Sequence, residues 1–366
     1  MTAAQLKQQQ QDFSYSSLTQ LYASAVPVAL SSSDRYVIFA DLHMGDGGKA
    51  DDFVINAGIF AQVLQRHYLD RGFKLVLNGD VEELQRFPYQ AIRARWANIY
   101  RIFDLFHRKG DLYKLSGNHD MGIAKLSRGR YRVADALRLC YNGETIFIFH
   151  GHQVSRWFMR HNRTVGMVLK YVATPLRIKN YEVSHNSRKR FETERLAYEF
   201  ASRHRILSII GHTHRPLFES LSKLDSLKFE LERLCRAYPE AAVHERERIE
   251  RQIARYRTEL LELQQKTPAR GRAHERGQTS ASLYAENLVV PCLFNSGCVI
   301  GKRGMTALEI ADGNIRLVYW FDRRRSSKYL TALNGTPQQA LCDDTVRAVM
   351  KEDRLDFVLS RIRLLT

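Results

Sequence analysis

No stretch of this chain approaches the ~20 uninterrupted apolar residues that a membrane-spanning helix requires, so none is expected. Cysteine is sparse and unpatterned: Cys140, Cys235, Cys292, Cys298 and Cys342 are odd in number and scattered. Disulfide frameworks belong to short secreted chains, so reduced thiols without a chemical role are expected. Cys292 and Cys298 lack the spacing of a zinc knuckle. The opening Met1-Thr2-Ala3-Ala4-Gln5 has no basic region, and residues 23–30 are too short and interrupted for a leader. A cytoplasmic location is the expectation, including a position against the inner face of the membrane. Acidic residues are outnumbered: 39 Asp and Glu against 56 Lys and Arg leave a net charge of +17. That excess favours an acidic partner, whether nucleic acid, anionic lipid or a phosphorylated substrate, without choosing among them. No domain-length repeat is visible.

What remains is a globular composition, 44% hydrophobic and 26% charged over 366 residues. Residues 1–33 show no hydrophobic period and read as an N-terminal extension, partly flexible. From residue 36 the pattern alternates. Apolar runs at 36–40, 73–77 and 112–115 read as strands. Between them, helical spacing follows Asp51 and Asp52 up to Gly72, and again covers residues 89–107 behind Pro88. Residues 137–141 and 145–149 flank Asn142-Gly143 and predict a β-hairpin. This order suits an α/β fold whose polar loops lie at strand C-terminal ends.

Residues 153–205 are helical in pattern and basic, with Trp157, Phe158, Met159, Met167, Leu169 and Tyr171 interleaved. They read as a solvated amphipathic cap or as a basic, partly apolar lid over an anionic or lipid-bearing substrate. After a short strand at 206–210, leucines at threes and fours continue across Pro239 and predict a helical hairpin over 218–266. Residues 267–280 are polar and rich in Arg and Gly, a linker composition. Strands are expected again at 288–294, 305–310 and 315–321. Val346, Val349, Leu355, Val358, Leu359 and Ile362 then read as a C-terminal helix.

The chemistry gathers where apolar runs end. Candidate ligands are Asp41 and His43, Asp80, Asn118, His150, and His212 with His214. Six of thirteen histidines (His43, His119, His150, His152, His212, His214) occupy these loops, a concentration that isolated structural histidines do not explain. Asp-x-His and His-x-His at a strand end can aim alternate side chains the same way. Mixed carboxylate, imidazole and amide donors suit Mn, Fe or Zn better than an all-oxygen Mg or Ca cage. Seven donors exceed one ion's needs and suit two ions sharing a carboxylate, about 3.5–4 Å apart.

Asp41-Leu42-His43, Gly79-Asp80, Gly117-Asn118-His119-Asp120, His150-Gly151-His152 and Gly211-His212-Thr213-His214 occur in that order. The set resembles the five signatures of calcineurin-like metallophosphoesterases, over about residues 36–216. The resemblance implies a four-layer αββα sandwich formed by residues 34–366 and carrying the lid at 153–205; the hairpin 218–266 is a helical insertion that the family pattern does not require. It implies two divalent metal ions, Mn first and Fe or Zn as alternatives. Asp41, His43 and His214 would hold one, Asn118, His150 and His212 the other, with Asp80 bridging. A metal-bridging hydroxide would attack phosphorus, His119 would serve the leaving group, and Glu83 would orient His119. His152 is not a ligand in that pattern.

Departures narrow the substrate. Phosphoprotein phosphatases of this fold carry Gly-Asp-x-x-Asp-Arg-Gly and Gly-Asn-His-Glu; here Glu83-Leu84-Gln85 and Asp120 stand instead, without the phosphate-gripping Arg. Gly211 to Pro216 and Gly79 to Glu83 look nearer to UDP-2,3-diacylglucosamine pyrophosphohydrolases, although His119 and His152 differ from the Arg and Asp usual there. A nuclease acting through the basic lid is the alternative. A non-catalytic scaffold subunit is a third reading, with the hairpin docking a partner or a second copy.

Overall fold

The computed structural model describes residues 2–127, 129–155, 187–220, 227, 231, 234–235, 238–266, 290–325, 338–342 and 344–366. The chain forms two compact units, Met1–Glu219 with Cys292–Thr366, and Ser220–Pro291.

The first unit begins with α1 (Ala3–Ser24) and β1 (Pro27–Ala29). Next come β2 (Tyr36–Phe39), α2 (Ala57–Val63), β3 (Lys74–Asn78), α3 (Tyr89–Arg95), α4 (Ala97–Arg108) and β4 (Leu112–Leu115). The short α5 (Ile123–Leu126) and β5 (Val133–Ala134) lead to the hairpin β6 (Ala136–Tyr141) and β7 (Glu144–Phe149). Then α6 (Ser187–His204) runs into β8 (Leu207–Ile210). In the second unit, α7 spans Val243–Lys266. The first unit resumes with β9 (Leu293–Asn295), β10 (Met305–Ala311), β11 (Asn314–Asp322), β12 (Gln338–Ala340), β13 (Thr345–Arg354) and α8 (Leu355–Leu365).

Two mixed sheets result. One has the order β12-β13-β11-β10-β2-β3-β4-β5, the other β1-β6-β7-β8-β9. Strands β2, β3 and β4 are parallel neighbours, as are β7, β8 and β9. Strand β2 is buried along its whole length, the continuous apolar run of a strand covered on both faces. Val37, Phe39, Leu75 and Leu77 pack with Phe60, Phe103, Phe106 and Trp320 in one core. Ile38 and Val76, out of phase with them, are fully buried on the other face. Between the sheets, Asn78 Nδ2 donates to the Phe149 carbonyl at 3.1 Å. The architecture is a two-sheet α/β fold with helices.

The N-terminal extension carries regular elements: Thr2 and Gln5 close a capping box that starts α1, and β1 pairs in parallel with β6. Two expectations are corrected. The helix expected over 89–107 is two helices that meet at Trp96, whose indole Nε1 donates to the Gly45 carbonyl at 2.9 Å. Val346 and Val349 lie in β13, not in the C-terminal helix, and pair antiparallel with Phe321 and Val318. Alternate burial at Val346 and Ala348 shows the period of two that decided for a strand. The C-terminal helix is confined to α8. Residues 156–186 of the expected lid, most of the first arm of the expected hairpin, and the expected linker lie outside the described residues.

Candidate metal centre

Each motif loop leaves the C-terminal end of a strand: Asp41 and His43 after β2, Asp80 after β3, Asn118 after β4, His150 after β7, His212 and His214 after β8. The loops are strained. Of the nine described non-glycine residues with positive φ, five are Asp41, His43, Asp80, His212 and His214. Such backbone costs free energy and persists where surrounding contacts over-determine it, often at functional sites. Two glycines make the close approach feasible. A Cβ on Gly117 would lie 2.1 Å from Asp80 Oδ1, and one on Gly211 2.5 Å from Ala40 Cβ.

Backbone hydrogen bonds lock the loops together. The His43 N–H donates to the Asp80 carbonyl at 2.9 Å and the Gly211 N–H to the His150 carbonyl at 2.9 Å. Side chains finish the frame: the His212 N–H donates to Asp41 Oδ2 at 2.9 Å, and the His119 N–H to Asp80 Oδ1 at 2.7 Å. Asp120, fully buried, accepts from the Val81 N–H and the Gly117 N–H. It therefore braces the second and third loops.

The remaining carboxylate and imidazole atoms converge. Asp41 Oδ1 lies 3.2 Å from His214 Nε2 and 3.8 Å from His43 Nε2, and the two imidazole nitrogens are 3.1 Å apart. Asp80 Oδ2 lies 3.1 Å from His150 Nε2 and 3.9 Å from His43 Nε2. Ligand atoms of Asp41, His43 and His214 fall within 4.8 Å of one another, as do those of Asp80, His150 and His212. Asp80 belongs to the second triad and also faces His43 of the first. Asn118 is buried in the loop that carries His119.

These groups fit a divalent cation. His150 Nδ1 is 2.8 Å from the Asn78 carbonyl and His43 Nδ1 2.8 Å from Glu83 Oε2. Donation from each Nδ1–H turns the Nε2 lone pair toward the cluster, the usual way a ligating histidine is held. Asp41 Oδ1 and His150 Nε2 are buried and, among the described residues, face only the imidazole and carboxylate atoms of the cluster itself, without a well-aligned hydrogen bond. Spacings of 3.1–3.9 Å between donor atoms suit ligands about 2.0–2.2 Å from a shared ion.

The electrostatics agree. Burial alone would raise the Asp80 and Glu83 carboxyl pKa values, yet the surrounding imidazoles hold Asp80 well below the usual range and Glu83 at about 2. Conversely, burial opposes charge on His119, but Glu83 and Asp80 raise it to about 9. The cluster therefore demands positive charge, which protons on the imidazoles or metal cations can supply.

All seven candidate ligands lie in the converging loops, and Glu83 meets His119 Nδ1 at 2.8 Å. His152 is buried beside the cluster, its ring centre 5.5 Å from that of His150. Burial and the neighbouring His150 lower its pKa to about 3. Sequence reasoning missed the second contact of Glu83, to His43. It also missed the buried pair of Lys114 and Glu82, which Tyr100 joins through its hydroxyl at 2.8 Å from Glu82 Oε1. The doubled acid Glu82-Glu83 shortly after Asp80 and a lysine inside a strand were the available signals.

A His/Asp cluster able to hold divalent metal, set at the strand ends of a two-sheet α/β fold, is the arrangement implied by the resemblance to calcineurin-like metallophosphoesterases. No family model matches the chain, and no curated protein matches it. Among solved structures, the chain is similar to the Yfce phosphoesterase from E. coli, with 11% identity, 77% of this chain and 91% of that chain covered, and a TM-score of 0.31. It is also similar to a Vps29 single mutant from Entamoeba histolytica, with 11% identity, 78% and 92% covered, and a TM-score of 0.29. The functional reading rests on the site.

Proposed function

We propose that this chain is a metal-dependent phosphoester hydrolase with two divalent cations, manganese first and iron or zinc as alternatives. Asp41, His43 and His214 would hold one and Asn118, His150 and His212 the other, with Asp80 shared. One observation carries the reading: Asp80 Oδ2 stands 3.1 Å from His150 Nε2 and 3.9 Å from His43 Nε2, one from each triad. When bound, such ions acidify water and neutralise charge on phosphoryl oxygens.

The chain's own groups supply the rest. His119 keeps Nδ1 on the Glu83 carboxylate, which leaves Nε2 to give a proton to the departing oxygen. The same carboxylate favours the imidazolium that can act as this acid. Glu83 also fixes the ring of His43, so the acid and a ligand keep a constant relation.

For the substrate, a pyrophosphate of the UDP-2,3-diacylglucosamine type is the leading choice. It matches the basic balance of the chain and a basic lid that would sit against anionic lipid at a cytoplasmic membrane face. A nucleic-acid phosphodiester is the second choice, favoured by the net charge of +17. The hairpin would serve pairing between copies. The test is hydrolysis with added Mn2+ of p-nitrophenyl phosphate, bis-p-nitrophenyl phosphate, nucleotide-sugar lipid and single-stranded DNA. Lipid-linked turnover supports the leading choice; DNA turnover that falls steeply with salt supports the second. No turnover of any substrate by protein loaded with Mn2+ rejects the enzyme in favour of a scaffold.

A further inference from the structure

The loop carrying His212 and His214 has a tether outside the cluster. Thr213, between the two histidines, is fully buried, and its Oγ1 donates to Glu194 Oε1 at 2.9 Å. The same oxygen accepts from Asn295 Nδ2 at 2.8 Å, and that amide also donates to the Gly211 carbonyl at 3.1 Å. Asn295 is in turn fixed through Oδ1, which accepts from the Gly297 N–H at 2.8 Å. Glu194 is an acidic side chain with no exposed surface, carried by α6, and its Oε2 lies 3.7 Å from Arg215 Nη1. Burying a carboxylate costs free energy unless it is paired and hydrogen-bonded; burial raises the Glu194 carboxyl above its ordinary range, and Arg215 and the Thr213 hydroxyl oppose that rise.

The loop needs holding. His212 and His214 both have positive φ, at 64° and 55°, on either side of Thr213. Strained backbone of this kind relaxes when the contacts that fix it are removed.

We infer that Glu194 and Thr213 are positioning residues for metal binding: the Glu194–Thr213–Asn295 chain holds His212 and His214 in the geometry that a cation requires. This rests on the metal-centre reading above and adds residues to it that touch neither ion nor substrate. Loss of a partner behind a ligand commonly costs about 10–100-fold in metal affinity.

The test titrates Mn2+ alone into the full chain by calorimetry, with the unfolding midpoint in chelator measured beside it. Thr213→Val removes the hydroxyl at constant shape and Thr213→Ser keeps it. The tether predicts Mn2+ binding weakened about tenfold or more in Thr213→Val and near wild type in Thr213→Ser. Glu194→Ala should weaken binding similarly, and Glu194→Gln, which retains an acceptor oxygen, much less. The Glu194→Ala/Thr213→Val double variant should bind no worse than the weaker single one, because both break one chain of hydrogen bonds. Equal affinity in Thr213→Val and Thr213→Ser overturns the tether while the metal centre stands. A wild-type chain that binds no Mn2+ overturns both.

Discussion

The Glu83 carboxylate lies 2.8 Å from His119 Nδ1, and its Oε2 lies 2.8 Å from His43 Nδ1 as well. The two rings stand nearly perpendicular, 85° apart, with centres separated by 4.7 Å. One acid therefore sets two imidazoles with different tasks, a candidate ligand and a candidate proton donor. His119→Ala should lower turnover about 10²–10⁴-fold with Mn2+ stoichiometry unchanged. Glu83→Ala should lower turnover and also weaken Mn2+ binding, because His43 loses its partner. Activity assays paired with metal analysis separate the two, and identical behaviour of both variants would break the assignment.

Asp80 is the one candidate ligand whose loss should empty both positions. Its Oδ2 faces His150 and His43, while its Oδ1 accepts from the His119 N–H at 2.7 Å. Asp80→Asn keeps the shape and that hydrogen bond and removes the charge. Bound Mn2+ should fall from two ions per chain toward none, with turnover lost in step. Full activity in Asp80→Asn would show that the shared position belongs elsewhere.

The parts legible in the sequence were those with a local signature. Strand ends, the Asn142-Gly143 hairpin and the five loop motifs announce themselves within a few residues, and the structure gathers those loops. The Glu194–Thr213 contact joins residues 19 positions apart and leaves no local pattern. Val346 and Val349 misled because their spacing of three fits a helix, while pairing with β11 selects the alternation instead. The N-terminal helix was hidden for another reason. Its packing face includes Ser14 and Ser17, polar side chains that donate to the backbone carbonyls of Val154 and Gln153. A face that binds through hydroxyls shows no hydrophobic period.

That face gives a stability prediction. Leu18 has no exposed surface, and Tyr22 packs edge-on against Phe147 with ring centres 5.2 Å apart. Leu18→Ala should cost about 2–5 kcal/mol of unfolding free energy, as for a core leucine. Gln20→Ala, on the exposed side of α1, should change it by no more than about 0.5 kcal/mol. Denaturant titration reads the difference. A freely moving extension would make both changes silent.

His67 gives the protein a pH dependence away from the metal centre. Its ring lies 4.9 Å from the Trp320 ring, and burial, with Arg71 and Arg347 adding to it, lowers its pKa to about 3. The unfolded chain takes up a proton near pH 6.5, whereas the folded chain resists until about pH 3. The unfolded state therefore binds more protons across that window. Stability associated with His67 is complete above about pH 6.5 and is lost as pH falls toward 3, with a limiting slope of about 1.4 kcal/mol per pH unit. Carboxylates add their own acid dependence, so the comparison has to be made against a variant. His67→Gln should be less stable than wild type at pH 7 through lost packing, yet its stability should fall more slowly between pH 6.5 and 4. Parallel curves for the two proteins over that range would mean that His67 is protonated as readily in the fold as outside it.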